Sequence, residues 1–149
     1  MTYKVFTYGT LMKDQVNHHY VEDSVFLSEA ILDGYGLYDT GFGYPAAVKM
    51  DGYEIIGEIY EVDEETKARM DILEDEGEMY ACDQVIVHTE HGDEEVLFYR
   101  YLLSTEGMRL CTNGARWNTV AGSLRKYARP DLVGKEEEIF HKALDEKYR

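Results

Sequence analysis

Residues 3–11 read YKVFTYGTL, a strand-like run that ends in a glycine turn. Tyr3–Thr7 is rich in β-branched and aromatic residues, so it predicts a first β-strand. The tetrad Tyr8, Gly9, Thr10 and Leu11 follows where that strand ends. A glycine at this point lets backbone N–H groups turn outward and approach a small anion closely. The stretch therefore predicts a strand that delivers a backbone anion cradle.

A second informative stretch, Met70-Asp71-Ile72-Leu73-Glu74, lies much later in the chain and is followed by Tyr80. It is the acidic end of a predicted helix. A backbone cradle and one distant carboxylate form a minimal set of groups for proton transfer on a substrate that carries a carboxylate. The dipole at a helix C-terminus and the neighbouring acids both disfavour an anion, so Glu74 suits the role of a proton acceptor.

Length and composition restrict the class of protein. The chain has 149 residues, 44% of them hydrophobic, which fits one domain with a real core. Its formal net charge of −15 argues against a nucleic-acid or anionic-membrane surface, which needs clustered Lys and Arg. The two cysteines, Cys82 and Cys111, form no CxxC pattern, and no long apolar run occurs. We expect a reduced, cytoplasmic protein.

Strand-like segments dominate the pattern. We expect Lys13–Asp23 to be a short helix or a loop, and Ser104–Trp117 to be irregular. A hairpin is predicted around His91-Gly92-Asp93. The predicted strands are Tyr3–Tyr8, Val25–Tyr38, Tyr44–Val48, Glu54–Val62, Tyr80–Thr89 and Glu95–Leu103.

Two helices are predicted. The first starts at the N-cap Asp63 and ends near Glu74, with Ala68 and Ile72 on one face and Met70 and Leu73 on another. The second is an amphipathic helix, Glu136–Tyr148. We therefore expect an α+β fold with a curled sheet and helices outside it. Residues 1–120 form the domain, and residues 121–149 form a helical extension packed on it.

Five motifs, in order, resemble those of the γ-glutamylcyclotransferase-like proteins, also called the AIG2-like family. Together they extend over about four fifths of the chain. They are Tyr8-Gly9-Thr10-Leu11, Tyr44-Pro45-Ala46, Gly57-Glu58-Ile59-Tyr60-Glu61-Val62, Met70-Asp71-Ile72-Leu73-Glu74 with Tyr80, and Gly114-Ala115-Arg116-Trp117.

The resemblance implies a small mixed β-barrel with flanking helices and a pocket at one mouth of the barrel. It implies release of 5-oxoproline from a γ-glutamyl compound, without a metal or a cofactor. In the family the YGTL segment binds the substrate through its backbone and the motif glutamate is the acid/base. These roles correspond to Tyr8, Gly9, Thr10 and Leu11, and to Glu74, with Tyr80 as the following motif tyrosine.

The residues themselves leave several alternatives open. Glu76 could replace Glu74 if the turn is shifted, and Tyr80 could be a sheet-packing aromatic. Glu58 points inward by parity, as a second pocket acid or, more simply, at a rim. His18 and His19, with acids four residues on, are more simply surface residues than metal ligands. Trp117 is expected to pack at the barrel end.

Three functions fit the sequence. The first is a cyclotransferase acting on a small γ-glutamyl amide or amine. The second is a binding module that has lost turnover, because Asp75 stands where the family commonly has glycine and Cys82 where it often has a basic residue. The third is an interaction protein that docks a partner through its C-terminal helix. No nucleic-acid or membrane partner is expected, and a homodimer is left open.

Overall fold

The computed structural model describes residues 1–15, 17–114 and 116–117. These residues form six strands, one α-helix and a short 3₁₀ turn, His18–Tyr20. The helix α1, Glu64–Leu73, lies between the third and fourth strands. The strands are β1 (Thr2–Thr7), β2 (Val25–Asp39), β3 (Pro45–Asp63), β4 (Tyr80–Thr89), β5 (Gly92–Tyr101) and β6 (Arg109–Leu110).

The strands make one mixed sheet in the order β3-β1-β5-β4-β2-β6, and β2 also pairs with β3. The sheet is mixed because β1 runs parallel to β5, whereas all the other strand pairs of the sheet are antiparallel. The sheet curls back on itself through β2, which meets β4 at the single pair Ile31↔His88. The predicted α+β class is confirmed. The expected barrel is present only as a strongly curled sheet.

Three strand predictions need correction. The predicted strands Tyr44–Val48 and Glu54–Val62 merge into one strand, β3, which begins one residue later, at Pro45, and continues through a register irregularity opposite Asp33 and Tyr35 of β2. Residues 104–117 are not wholly irregular, because β6 pairs with the end of β2. The predicted hairpin is confirmed, but β5 begins at Gly92, which pairs with Thr89, and the strand ends at Tyr101.

Helix α1 starts and ends where the sequence predicts. The side chain of Asp63 accepts a hydrogen bond from the Thr66 amide at 2.8 Å, and Glu74 is the C-cap. The buried face contains Met70 and Leu73, as predicted. The face that contains Ala68 and Ile72 is exposed to solvent, with Ile72 63% exposed. Packing against the sheet therefore selects the Met70 face.

Strand β1 is buried on both faces, because the sheet curls around one face and helix α1 covers the other. Val5 packs in a core cluster with Met70, whereas Phe6 packs in a second cluster on the opposite face. Gly57 of β3 lets β1 approach closely, since a Cβ there would lie 2.3 Å from the Thr7 carbonyl oxygen. Trp117 is buried in the Phe6 cluster, which agrees with a packing role.

The predicted extension, residues 121–149, and its helix Glu136–Tyr148 lie outside the described residues, so these expectations stay predictions. In the described part of the chain, no helix combines the length and the apolar character needed to cross a membrane.

Candidate active site

A cavity opens where β1 ends, facing the C-terminus of helix α1. The cavity is small and open to solvent on one side. Every residue of the Tyr8–Leu11 tetrad lines it, and so do Glu74 and Tyr80. The wall is completed by Phe6, Thr7, Asn17, Tyr44, Pro45, Leu73 and Tyr99.

The tetrad turns sharply after β1 and is held by hydrogen bonds within the turn. The Gly9 carbonyl accepts from the Met12 amide at 3.1 Å, and the Thr10 carbonyl accepts from the Asn17 amide at 2.8 Å. The Asn17 side-chain amide donates to the Thr10 hydroxyl at 3.0 Å. The backbone of the cradle is therefore held rigidly, which lowers the entropy lost when it binds a ligand.

Glycine is required at position 9 by close packing. A Cβ on Gly9 would lie 2.9 Å from both Cγ and Cδ of Pro45, closer than real side-chain contacts. Gly9 is not among the residues with positive φ. Glycine is needed at position 9 because the Pro45 ring approaches closely, and not because the backbone there has an unusual conformation.

Glu74 reaches the cavity because helix α1 stops there. Its amide donates to the Met70 carbonyl at 2.9 Å. The next residue, Asp75, has φ 52°, and its amide donates to the Ile72 carbonyl while the Glu76 amide donates to Asp71. These two bonds form a Schellman motif, which ends a helix and usually has glycine at the left-handed position. Asp75 therefore keeps the turn geometry that glycine would provide.

Four tyrosines line the cavity together with Glu74, namely Tyr8, Tyr44, Tyr80 and Tyr99. Tyr8 donates a hydrogen bond to the Tyr99 carbonyl, and Tyr80 donates to the Pro45 carbonyl at 2.8 Å. Burial, and secondarily the charge of Glu74, raises the pKa of Tyr8. Burial, followed by Tyr101 and Glu74, raises the pKa of Tyr44 to about 12. The raised pKa values keep the hydroxyls of Tyr8 and Tyr44 protonated at neutral pH.

Glu76 and Glu58, the other candidate acids, do not line this cavity. Glu76 is exposed. Glu58 is 3% exposed, so the expected rim position is wrong. Its carboxylate accepts hydrogen bonds from the Lys13 amide at 2.8 Å, from the Tyr60 hydroxyl at 3.0 Å and from Arg116. Glu58 therefore anchors the loop that follows the cradle.

Other predicted features lie elsewhere. The Nδ1 atom of His18 contacts the Leu11 carbonyl oxygen at 3.0 Å. Among the described residues, no group of three or more His, Cys, Asp or Glu is arranged to hold a metal ion. Cys82 is half-buried beside Lys67, and burial, partly offset by Lys67, raises the pKa of its thiol. That shift argues against a reactive thiolate.

Sequence reasoning did not identify Asn17, Tyr44, Pro45 and Tyr99 as cavity residues. Tyr44 and Pro45 stand in a motif that was recognised, so a signal for them existed. Asn17 and Tyr99 enter through the fold of a loop and of β5, and their spacing in the chain carries no signal.

Known proteins are similar to this chain over the region that contains the cavity residues. The sequence model of the family "Gamma-glutamyl cyclotransferase, AIG2-like" matches residues 5–119. A relative from Citrobacter rodentium, "Gamma-glutamylcyclotransferase family protein ytfP", is 34% identical over 74% of this chain and 92% of its own length. The "Gamma-L-glutamyl-butirosin B gamma-glutamyl cyclotransferase" of Niallia circulans is 41% identical over 48% of this chain and 45% of its own length.

The fold is also similar to a solved structure. An uncharacterised protein from Pyrococcus horikoshii superimposes with a TM-score of 0.58 at 34% identity. The match covers 72% of this chain and 84% of that one.

Proposed function

Because the chain belongs to the γ-glutamyl cyclotransferase, AIG2-like family, we propose that it is an enzyme that releases 5-oxoproline from a γ-glutamyl amide or amine. The observation that carries this proposal is the shared cavity of the Tyr8–Leu11 backbone and the Glu74 carboxyl group. A rigid donor surface and one carboxyl group are the two parts that the reaction needs.

The reaction is intramolecular. The α-amino nitrogen attacks the γ-carbonyl carbon, a new C–N bond closes the five-membered lactam, and the bond to the leaving amine breaks. A pocket that holds the glutamyl chain folded supplies an entropic advantage of up to about 7–11 kcal/mol. We propose that the narrow cavity between Pro45 and Leu73 provides this constraint.

Glu74 serves as the proton shuttle in this proposal. As a carboxylate it takes the proton that the attacking α-ammonium must lose, and it then gives that proton to the leaving amine. Such general acid–base assistance contributes roughly 10²–10⁴-fold. The half-buried position at a helix C-terminus favours the protonated form and so makes Glu74 a better base than a solvated carboxylate.

The cradle and the tyrosines have binding roles. We propose that backbone amides of Gly9, Thr10 and Leu11 hold the substrate α-carboxylate or the oxyanion that develops on the γ-carbonyl oxygen. Tyr80, whose hydroxyl is directed to the Pro45 carbonyl, orients the wall on which the substrate lies. A substrate enclosed by Tyr8, Leu73 and Tyr80 is also protected from hydrolysis by water.

The test compares wild type with Glu74→Gln and with Glu76→Gln on a panel of γ-glutamyl amides and amines, with 5-oxoproline measured by mass spectrometry. Glu76→Gln is the matched control, because Glu76 is an exposed acid two residues away. We expect product from wild type and Glu76→Gln, and at least 100-fold less from Glu74→Gln. Equal product from Glu74→Gln would contradict the role of Glu74. Saturable binding of 5-oxoproline by a wild type that makes no product would instead indicate a binding module.

A further inference from the structure

An ion pair between Lys67 and Asp71 lies in the part of helix α1 that precedes Glu74, with the Asp71 side chain 38% exposed. The Lys67 ammonium is 2.5 Å from Oδ1 of Asp71, at the i, i+4 spacing of helix α1, and the Lys67 side chain is only 12% exposed. The ammonium also lies over the rings of Tyr99 and Tyr3, 5.4 and 5.9 Å from their centroids. The Lys67 ammonium is therefore screened by solvent less than a surface lysine is, whereas Asp71 remains in contact with solvent.

The pair is connected to the cavity wall through Tyr99. The Tyr99 hydroxyl donates to Oδ1 of Asp71 at 2.6 Å, and the Tyr99 carbonyl accepts from the hydroxyl of Tyr8. Both tyrosines line the cavity. Asp71 is three residues before Glu74, so their side chains are neighbours on the helix surface. A continuous set of contacts thus joins Lys67 to the end of the helix that carries Glu74.

The described residues that line the cavity with Glu74 include no lysine or arginine, and Lys67 lies behind this wall. Strand β1 contributes Tyr8, the segment before β3 contributes Tyr44, and β4 and β5 contribute Tyr80 and Tyr99. The segment that carries Glu74 adds the acids Asp71, Asp75 and Glu76. Helix α1 has a second cation, Arg69, but its side chain is exposed.

We propose that Lys67 is a positioning residue which, held by Asp71 and Tyr99, offsets the effect of the Asp71 carboxylate on the proton affinity of Glu74. This inference rests on the proposed function, in which Glu74 is the proton shuttle. With both charges present, their effects on Glu74 are of opposite sign and offset each other. The pair therefore allows a cation to stay close to the cavity without forcing Glu74 to remain ionised.

Removing one charge or the other should shift the pKa of Glu74 in opposite directions. Asp71→Asn removes an anion and leaves the Lys67 cation unbalanced, which stabilises the Glu74 carboxylate and lowers its pKa. Lys67→Met removes the cation and leaves the Asp71 anion, which raises the pKa of Glu74. From Coulomb's law at the separations within a helix, each change shifts the titration by about 0.3–1 pH unit. The double variant should titrate close to wild type.

The experiment is a ¹³C NMR titration of the glutamate δ-carbons in the full chain, with the Glu74 signal assigned from its loss in Glu74→Gln. It needs no substrate. Arg69→Met is the matched control, because it removes an exposed cation from the same helix and should leave the Glu74 midpoint within about 0.2 unit. Circular dichroism establishes that each variant is folded. If Asp71→Asn does not fold, Lys67→Met against Lys67→Arg tests the upward shift alone.

Opposite shifts in Asp71→Asn and Lys67→Met support the proposal. Shifts in the same direction, no shift, or an equal shift in Arg69→Met would overturn it. With an active wild type, the acid limb of the kcat/KM profile should move with the NMR midpoints. Opposite NMR shifts in a protein that makes no 5-oxoproline would preserve this inference and reject the proposed function, so the two can fail separately.

Discussion

Asp75 shows how a single backbone conformation decides whether the end of a helix is formed. Its φ of 52° is in the left-handed region, where most side chains are strained and Asp is among the better tolerated. The Schellman bonds around it are both present. The sequence difference at this position therefore changes the stability of the turn more than its shape.

Replacing Asp75 with glycine tests this reading. We expect Asp75→Gly to raise the free energy of unfolding by a few tenths to about 1 kcal/mol, because glycine relieves the left-handed strain. Gly77→Ala is the control: it places a methyl group in open space at φ 94°, so any loss is due to the backbone alone. Urea denaturation measures both, and a destabilised Asp75→Gly would contradict the argument.

Gly9 gives a second prediction at the same scale. Gly9→Ala should lower kcat/KM by at least 10-fold, because the new Cβ collides with the Pro45 ring and displaces the cradle. Gly36→Ala is a matched control, since its Cβ would also meet an atom at 2.9 Å, but that atom is the flexible sulfur of Met50. Steady-state kinetics on the active substrate measures both variants. Equal losses would show that the cradle is not specially sensitive.

At the scale of elements, the N-cap of helix α1 and the buried Glu58 hold the two segments of the site in position. The cap fixes where the helix starts, and the helix length then places Glu74 at the cavity. Glu58 of β3 fixes the loop after β1 from the other side, through the Lys13 amide and Arg116. Asp63 and Glu58 both belong to β3, so one strand holds both functional segments in place.

The cap predicts a pH dependence. The hydrogen bonds from Thr66 hold the pKa of Asp63 below its usual range. A depressed folded-state pKa stabilises the fold above the unfolded pKa, near 4, and this stabilisation is lost as the pH falls through the folded value. Asp63→Asn keeps a capping oxygen but cannot titrate. Its melting temperature should fall less than that of wild type below about pH 4, and parallel curves in a thermal melt series would contradict this.

Glu58 predicts a large effect on stability. Glu58→Ala should cost about 1–3 kcal/mol, because it removes the buried acceptor of the Lys13 amide, the Tyr60 hydroxyl and the exposed Arg116. Glu58→Gln keeps one acceptor and should cost less. Urea denaturation measures both variants. A loss below about 1 kcal/mol for alanine would mean that this carboxylate is not structurally important.

For the whole molecule, the dominant property is the net charge of −15. Among the described residues of the cavity wall there is no lysine or arginine, and Glu74 is an acid. The field of the protein therefore favours a neutral or cationic leaving amine over one that carries a carboxylate.

A matched set of substrates tests the charge effect. The γ-glutamyl derivatives of ethylamine, ethylenediamine and alanine have neutral, cationic and anionic leaving groups of similar size. We expect kcat/KM to be highest for the cationic leaving group, intermediate for the neutral one and lowest for the anionic one. The two extremes should differ by at least 10-fold at low salt. The difference should shrink at about 1 M salt, where the Debye length is about 3 Å. An unchanged difference at high salt would point to contacts rather than the overall field.

Local patterns in the sequence were sufficient for much of this protein. The β-prone runs predicted the main strands, the Asp63 cap predicted the start of helix α1, and ordered motifs identified the family. These signals are local, because strand propensity and capping depend on a few neighbouring residues. The sequence also placed Glu74 at the helix end, since the C-cap follows from the length of the amphipathic pattern.

The tertiary structure decided what propensities do not encode. It joined two predicted segments into β3, exposed Ile72, buried Glu58 and brought Asn17 and Tyr99 to the cavity. Each outcome depends on contacts between residues far apart in the chain, and the requirement for glycine at position 9 is a contact with Pro45. The residue types of the site could be identified from the sequence, whereas their neighbours depend on how the sheet curls and where helix α1 packs against it.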